Sequence, residues 1–80
     1  MIQDIYIIDN KNATIQTLKK VFKEEKEFCF KSVKTNNIED ALKNIPSLII
    51  INEDGIDIDI LELCGTIRNN EDNSITPIIV

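Results

Sequence analysis

The chain has 80 residues, 42% hydrophobic and 29% charged, which suits one small globular domain and is too apolar for a disordered tail. Nine Lys and Arg stand against 14 Asp and Glu, a net charge of −5. That balance argues against direct nucleic-acid binding and against an anionic membrane surface, both of which need clustered positive charge.

The opening MIQDIYIID carries an acid and no basic region, so it does not read as a signal peptide. No apolar run approaches the roughly 20 residues of a membrane span, and the expected location is the cytoplasm. Asp4–Asp9 is a short β-branched run, a strand ending on an acid. From Asn12 to Lys26 the apolar residues Ile15, Leu18, Val21 and Phe22 form a helical stripe, and the intervening lysines and glutamates form a solvated face. Phe28–Val33 alternates in part, as a half-exposed strand does. Asn37 then stands as an N-cap before a second stripe, Ile38, Ala41, Leu42 and Ile45, with Asp40 favouring the helix start; Pro46 stops this helix.

Leu48–Ile51 is apolar at every position, the mark of a strand buried on both faces of a parallel sheet. Ile56–Ile60 alternates with period two, but Gly55 and the overlapping stripe Ile60, Leu61, Cys64 and Ile67 favour a loop running into a third helix, Asp59–Arg68. Asp59 with Glu62 resembles a capping box. Asn69–Ser74 is a polar loop, and Thr76–Val80 begins a fourth strand. Cys29 and Cys64 lie in the apolar contexts FCF and LELCGTI and read as reduced core residues. They do not have the spacing of a metal pair or a redox motif. With no His in the chain, His-based nucleophilic catalysis, a phosphohistidine and an ordinary zinc site are excluded.

Strict strand–helix alternation around an all-apolar strand predicts an α/β fold with a parallel sheet and right-handed crossovers. Ligands of such sheets bind beyond the carboxyl ends of the strands. Those ends here are Asp9-Asn10 and Asn52-Glu53-Asp54.

IYIID followed by Asn10 and Lys11, PSLIIINEDGIDIDILELCGTIR, and TPIIV together resemble the receiver domain of two-component response regulators, over the whole chain. The LELC-to-TPIIV stretch is most similar to receivers joined to cyclic-dinucleotide enzymes. The resemblance implies a flavodoxin-like three-layer α/β/α fold, of which residues 1–80 would be the βαβαβαβ portion, without a fourth helix, fifth strand and fifth helix. In the family, an aspartate ending the third strand accepts a phosphoryl group. Two acids after the first strand, that aspartate and a backbone carbonyl two residues on hold Mg²⁺.

In this chain Asn52 stands at the phosphoacceptor position and Asn10 at the second acid, while Asp9 matches the first acid and Asp54 the carbonyl position. Mg²⁺ is a hard cation wanting oxygen ligands, so the expected site, Asp9 and Asp54, is weak or lost, and no other cofactor is expected. Glu53 and Asp54 read as solvated loop acids or as a substitute phosphosite; Asp54, Asp57 and Asp59 could form a loose cation site. An EF-hand fails, because Ile50 and Leu61 would fall at its ligand positions.

Three readings stand: a pseudo-receiver acting through a protein partner or an attached output domain, a receiver phosphorylated on a non-standard acid, and a structural α/β domain. None is an enzyme. The apolar fourth strand, read as an open sheet edge, adds an expectation of self-association.

Overall fold

The structure is a computed structural model and describes residues 2–80. Four strands, β1 (Gln3–Ile8), β2 (Phe28–Val33), β3 (Leu48–Ile51) and β4 (Ile78–Ile79), form one sheet in the order β2-β1-β3-β4. All three pairings are parallel. Three helices connect them: α1 (Ala13–Val21), α2 (Ile38–Ala41) and α3 (Ile60–Asn69). This is the flavodoxin-like α/β arrangement expected from the sequence.

The alternation of side chains along each strand divides the core into two layers. Tyr6, Ile8, Val33, Ile49 and Ile51 face Ile38 and Leu42 of the α2 segment and Leu63 and Ile67 of α3. Ile5, Ile7, Phe28, Phe30, Leu48 and Ile50 face Ile15 and Leu18 of α1. The all-apolar Leu48–Ile51 supplies both layers, which is why it has no polar position and runs between β1 and β4.

The helices depart from their sequence stripes in identifiable ways. α1 stops at Val21 instead of reaching Lys26, with the Phe22 N–H closing on Leu18 O. There Phe22 turns onto Phe28 and Phe30, ring centroids 6.2 and 6.0 Å away, and Val21 is left exposed. The second helix is a 3₁₀ turn, Thr35–Asn37, followed by one α-turn, and Asn37 makes no side-chain cap. Past Ala41 the chain tightens into bonds from Lys43 N to Asp40 O and from Asn44 N to Ala41 O, so Ile45 leaves the stripe and is exposed.

In α3 the Asp59 carboxylate accepts the Leu61 N–H at 2.7 Å, as an N-cap should. The buried face is Leu63 and Ile67, with Ile60 and Cys64 packed beside them, while Leu61 is 80% exposed. Leu61 thus drops out of the expected stripe and Leu63 replaces it. Residues 56–59 form a loop entering this helix at Ile60, as its stripe indicated.

The expected polar loop after α3 holds a wholly buried amide, that of Asn73. Its Nδ2 donates to Leu42 O (3.1 Å) and to Asn70 Oδ1 (3.1 Å), and its Oδ1 accepts from Thr76 Oγ1 (3.0 Å). The arrangement satisfies a carbonyl at the end of α2 and fixes the approach to β4, which takes Thr76 into a turn contact and shortens the strand to Ile78–Ile79. Arg68 Nη1 closes the same turn on the carbonyls of Asn73, Ser74 and Thr76. Asn73→Leu would bury the Leu42 carbonyl and the Thr76 hydroxyl without partners. A loss of about 2 kcal/mol in urea unfolding is expected, whereas the exposed Asn69→Ala should change stability by less than about 0.5 kcal/mol.

Candidate functional site

The strand order reverses direction between β1 and β3, so their carboxyl ends form the crevice of the sheet. Asp9 follows β1 and is fully buried there. Its Oδ1 accepts the Lys11 N–H at 2.9 Å; its Oδ2 accepts the Thr14 N–H at 3.0 Å and the Asn52 Nδ2–H at 3.2 Å. Asp9 therefore caps α1 from outside the helix. Asn12, the residue expected to begin it, takes the left-handed conformation with φ 59° and makes no side-chain cap. Its amide oxygen instead accepts the Ser32 hydroxyl.

Burial would raise the Asp9 pKa, but the Thr14 and Lys11 amides and the Asn52 and Thr14 side chains favour the anion, and the net effect is a pKa below the ordinary aspartate value.

Asn52 follows β3. Its backbone N–H bonds to Ile8 O, and the next turn, Glu53–Gly55, returns the Gly55 N–H to Asn52 O at 2.9 Å. Gly55 O in turn accepts the Asn10 N–H at 2.8 Å. These bonds press Gly55 against the carboxylate: a Cβ on Gly55 would overlap Asp9 Oδ1 and come within 3.3 Å of Asn52 Nδ2. No glycine has a positive φ among the described residues, so the requirement here is space rather than backbone conformation.

Asn10 does not enter this pocket. Its Oδ1 accepts the Thr35 N–H at 2.9 Å, and its Nδ2 donates to Thr35 Oγ1 (3.2 Å) and Asp57 Oδ1 (3.3 Å). Thr35 Oγ1 also donates to Asp57 Oδ1 at 2.9 Å. The result is a polar bridge from the end of β1 across the β2–α2 connection to the loop before α3. Glu53 and Asp54 are exposed on the turn beyond Asn52.

The geometry thus brings Asp9 and Asn52 together, turns Asn10 toward Thr35, and leaves Asp54 outside. Asp57 and Asp59 do not join Asp54, since one is held by Asn10 and Thr35 and the other caps α3. Thr35 and Gly55 were not singled out as site residues. The Gly55 signal was present as an Asp-Gly pair just past a strand end, whereas nothing local marks Thr35. Mg²⁺ asks for an octahedron of oxygen ligands. Here both Asp9 oxygens are occupied by N–H donors and Gly55 fills the space before Oδ1, so the residues present do not fit that ion. Among the described residues no three acids or cysteines gather into a metal cage.

Comparison of the chain with protein families, curated proteins and solved structures gives no match.

Proposed function

We propose that this chain is a pseudo-receiver, a signalling module that takes no phosphoryl group at the usual strand end and works by contact with a protein partner or on an attached output domain. One observation carries the reading. At the crevice where a receiver would hold its nucleophile, Asn52 donates an amide N–H to the buried Asp9 carboxylate. An amide is not an anion and cannot form an acyl phosphate, and the bond to Asp9 uses the donor that an aspartate would lack. The two side chains keep a receiver-like crevice closed while its charge is reduced to one carboxylate. The bridge through Asn10, Thr35 and Asp57 ties together the loops above that crevice, giving a fixed surface suited to recognition. No long apolar helix accompanies it: among the described residues none could cross a membrane.

Incubation with acetyl phosphate and Mg²⁺, followed by intact mass measurement, is expected to show no gain of one phosphoryl group. A stoichiometric adduct mapped to Glu53 or Asp54 would replace this reading with that of a receiver using a non-standard acid.

A further inference from the structure

Positive charge is concentrated in one part of an acidic chain. Residues 11–34, which form α1 and β2, carry seven lysines against three glutamates, and the rest of the chain carries two basic residues against eleven acids. β2 is the outermost strand on one side of the sheet and lies well inside the sequence. Its pairing with β1 fixes which backbone groups stand at the open edge. The Gln3 N–H donates to Glu27 O (2.6 Å) and the Asp9 N–H to Val33 O (3.2 Å). In a parallel pair, alternate residues of a strand bond to the same neighbour. The backbones of Cys29, Lys31 and Val33 therefore turn to β1, and those of Phe28, Phe30 and Ser32 present their N–H and C=O groups at the edge.

An apolar cleft with a basic rim adjoins these groups. Phe28 and Phe30 stand on the α1 face with the 40%-exposed Phe22 against both rings. An open cleft runs between these rings and Lys19, Lys23 and Glu25. Lys19 and Lys23 are exposed and make no ion pair among the described residues, whereas the Glu25 carboxylate accepts the Glu27 N–H at 3.3 Å. Lys31 and Lys34 are exposed farther along the strand, and Lys31 approaches Asp4 only to 3.7 Å, with both side chains about half in water.

We propose that the β2 edge takes up an extended acidic segment of a partner protein, with one large apolar side chain of that segment seated in the Phe22–Phe28–Phe30 cleft. The backbone groups of Phe28, Phe30 and Ser32 supply the pairing, and the alternate side chains of the added strand supply the specificity. Residues flanking the apolar anchor on its own face reach Lys19 and Lys23, and those on the other face reach Lys31 and Lys34. Charge selects the occupant. Lysine on an edge strand is a usual guard against pairing: it opposes a basic strand and a second β2 edge, and it favours a strand rich in Asp and Glu. A nucleic acid is disfavoured by Glu25 on the cleft and by the three glutamates of this segment. The inference adds a contact surface to the pseudo-receiver reading without resting on it. None of the cleft residues bonds to the Asp9–Asn52 pair, so a phosphoryl adduct would leave this proposal standing.

Titration of the isotope-labelled 80-residue chain with the synthetic peptide acetyl-DEDFEDE-amide, followed by NMR, tests it. Chemical-shift changes should centre on Phe22, Phe28 and Phe30, and the affinity should fall at high salt. Amide hydrogen exchange gives the signature of strand addition: the Phe28, Phe30 and Ser32 amides should exchange fast in the free chain and slow down at saturation, while those of Cys29, Lys31 and Val33 are slow in both. Replacing the peptide's phenylalanine by alanine, or the exposed Lys19→Glu and Lys23→Glu together with folding checked by circular dichroism, should weaken binding by roughly tenfold or more. The basic peptide acetyl-KRKFKRK-amide and an oligothymidylate should not compete. The proposal is overturned if the acidic peptide does not bind, if it binds with no added protection at Phe28, Phe30 and Ser32, or if the double lysine variant binds it as the wild type does. Tighter binding of the basic peptide or of the oligothymidylate would also overturn it.

Discussion

Gly55→Ala should be the most damaging single-methyl change in the chain, costing about 3 kcal/mol or more. The added Cβ would overlap the Asp9 carboxylate, and neither group has room to yield. Asp9 is held by three N–H donors. Gly55 is held by backbone bonds to Asn52 O and from Asn10 N. Accommodating the methyl group means breaking the α1 cap, the Asn52 contact or the turn after β3, each with a buried polar group left short of a partner. A domain of this size has about 5 kcal/mol of stability in total, so the variant should keep less than half of that margin. Gly65→Ala supplies the control. Gly65 lies in α3, and a methyl group there would meet nothing within 4 Å, so alanine should stabilise by roughly 0.5–1 kcal/mol through helix propensity. Urea unfolding of the two variants should therefore move in opposite directions, and a Gly55→Ala protein as stable as the wild type would show that the crevice is not closed in this way.

Asn52→Asp should reverse the pH dependence of stability. In the native chain Asp9 has a lowered pKa. Its contribution is fully present above the unfolded aspartate pKa, about 3.9, and is lost as pH falls through the lower folded value. Replacing the amide donor 3.2 Å from Asp9 Oδ2 by a carboxylate sets two anions in one buried site. One proton of the pair is then held more tightly in the folded state, at a raised pKa. The folded protein binds more protons than the unfolded one, so the variant should gain stability as pH falls from neutrality toward about 4, where the wild type is flat and then declines.

At pH 7 the variant should lose about 2–3 kcal/mol, and Mg²⁺, offsetting the paired charge, should recover part of it while leaving the wild type unmoved. Adding Asn10→Asp should bring no second ligand, because that side chain lies against Thr35 and Asp57 and would add repulsion with Asp57. Thermal melts across pH with and without Mg²⁺ read all of this. A wild type that binds Mg²⁺ as well as the variant would overturn the assignment of Asp9 and Asn52 to one pocket.

Local pattern determined the order of elements and the sheet they build. The β-branched run before Asp9, the all-apolar Leu48–Ile51 and the stripes carrying Ile15, Ile38, Leu42 and Ile67 are properties of neighbouring residues. Burial follows them directly, because a strand without polar positions has no face to give to water. Asp9 and Asn52 were legible as strand ends for the same reason.

Tertiary structure decided what periodicity leaves degenerate. Ile60, Leu61, Leu63, Cys64 and Ile67 contain two overlapping stripes, and the crossover from β3 rotates α3 so that Leu63 is buried and Leu61 is exposed. The α1 stripe runs on to Phe22, yet the helix ends at Val21 and Phe22 instead packs against Phe28 and Phe30 of β2. Asn73 reads as one more polar loop residue until it meets the Leu42 carbonyl, 31 positions away. The Asp9–Asn52 bond spans 43 positions and the Asn10–Asp57 bond 47. No local propensity encodes such contacts, because they exist only once parallel pairing has placed the ends of β1 and β3 side by side.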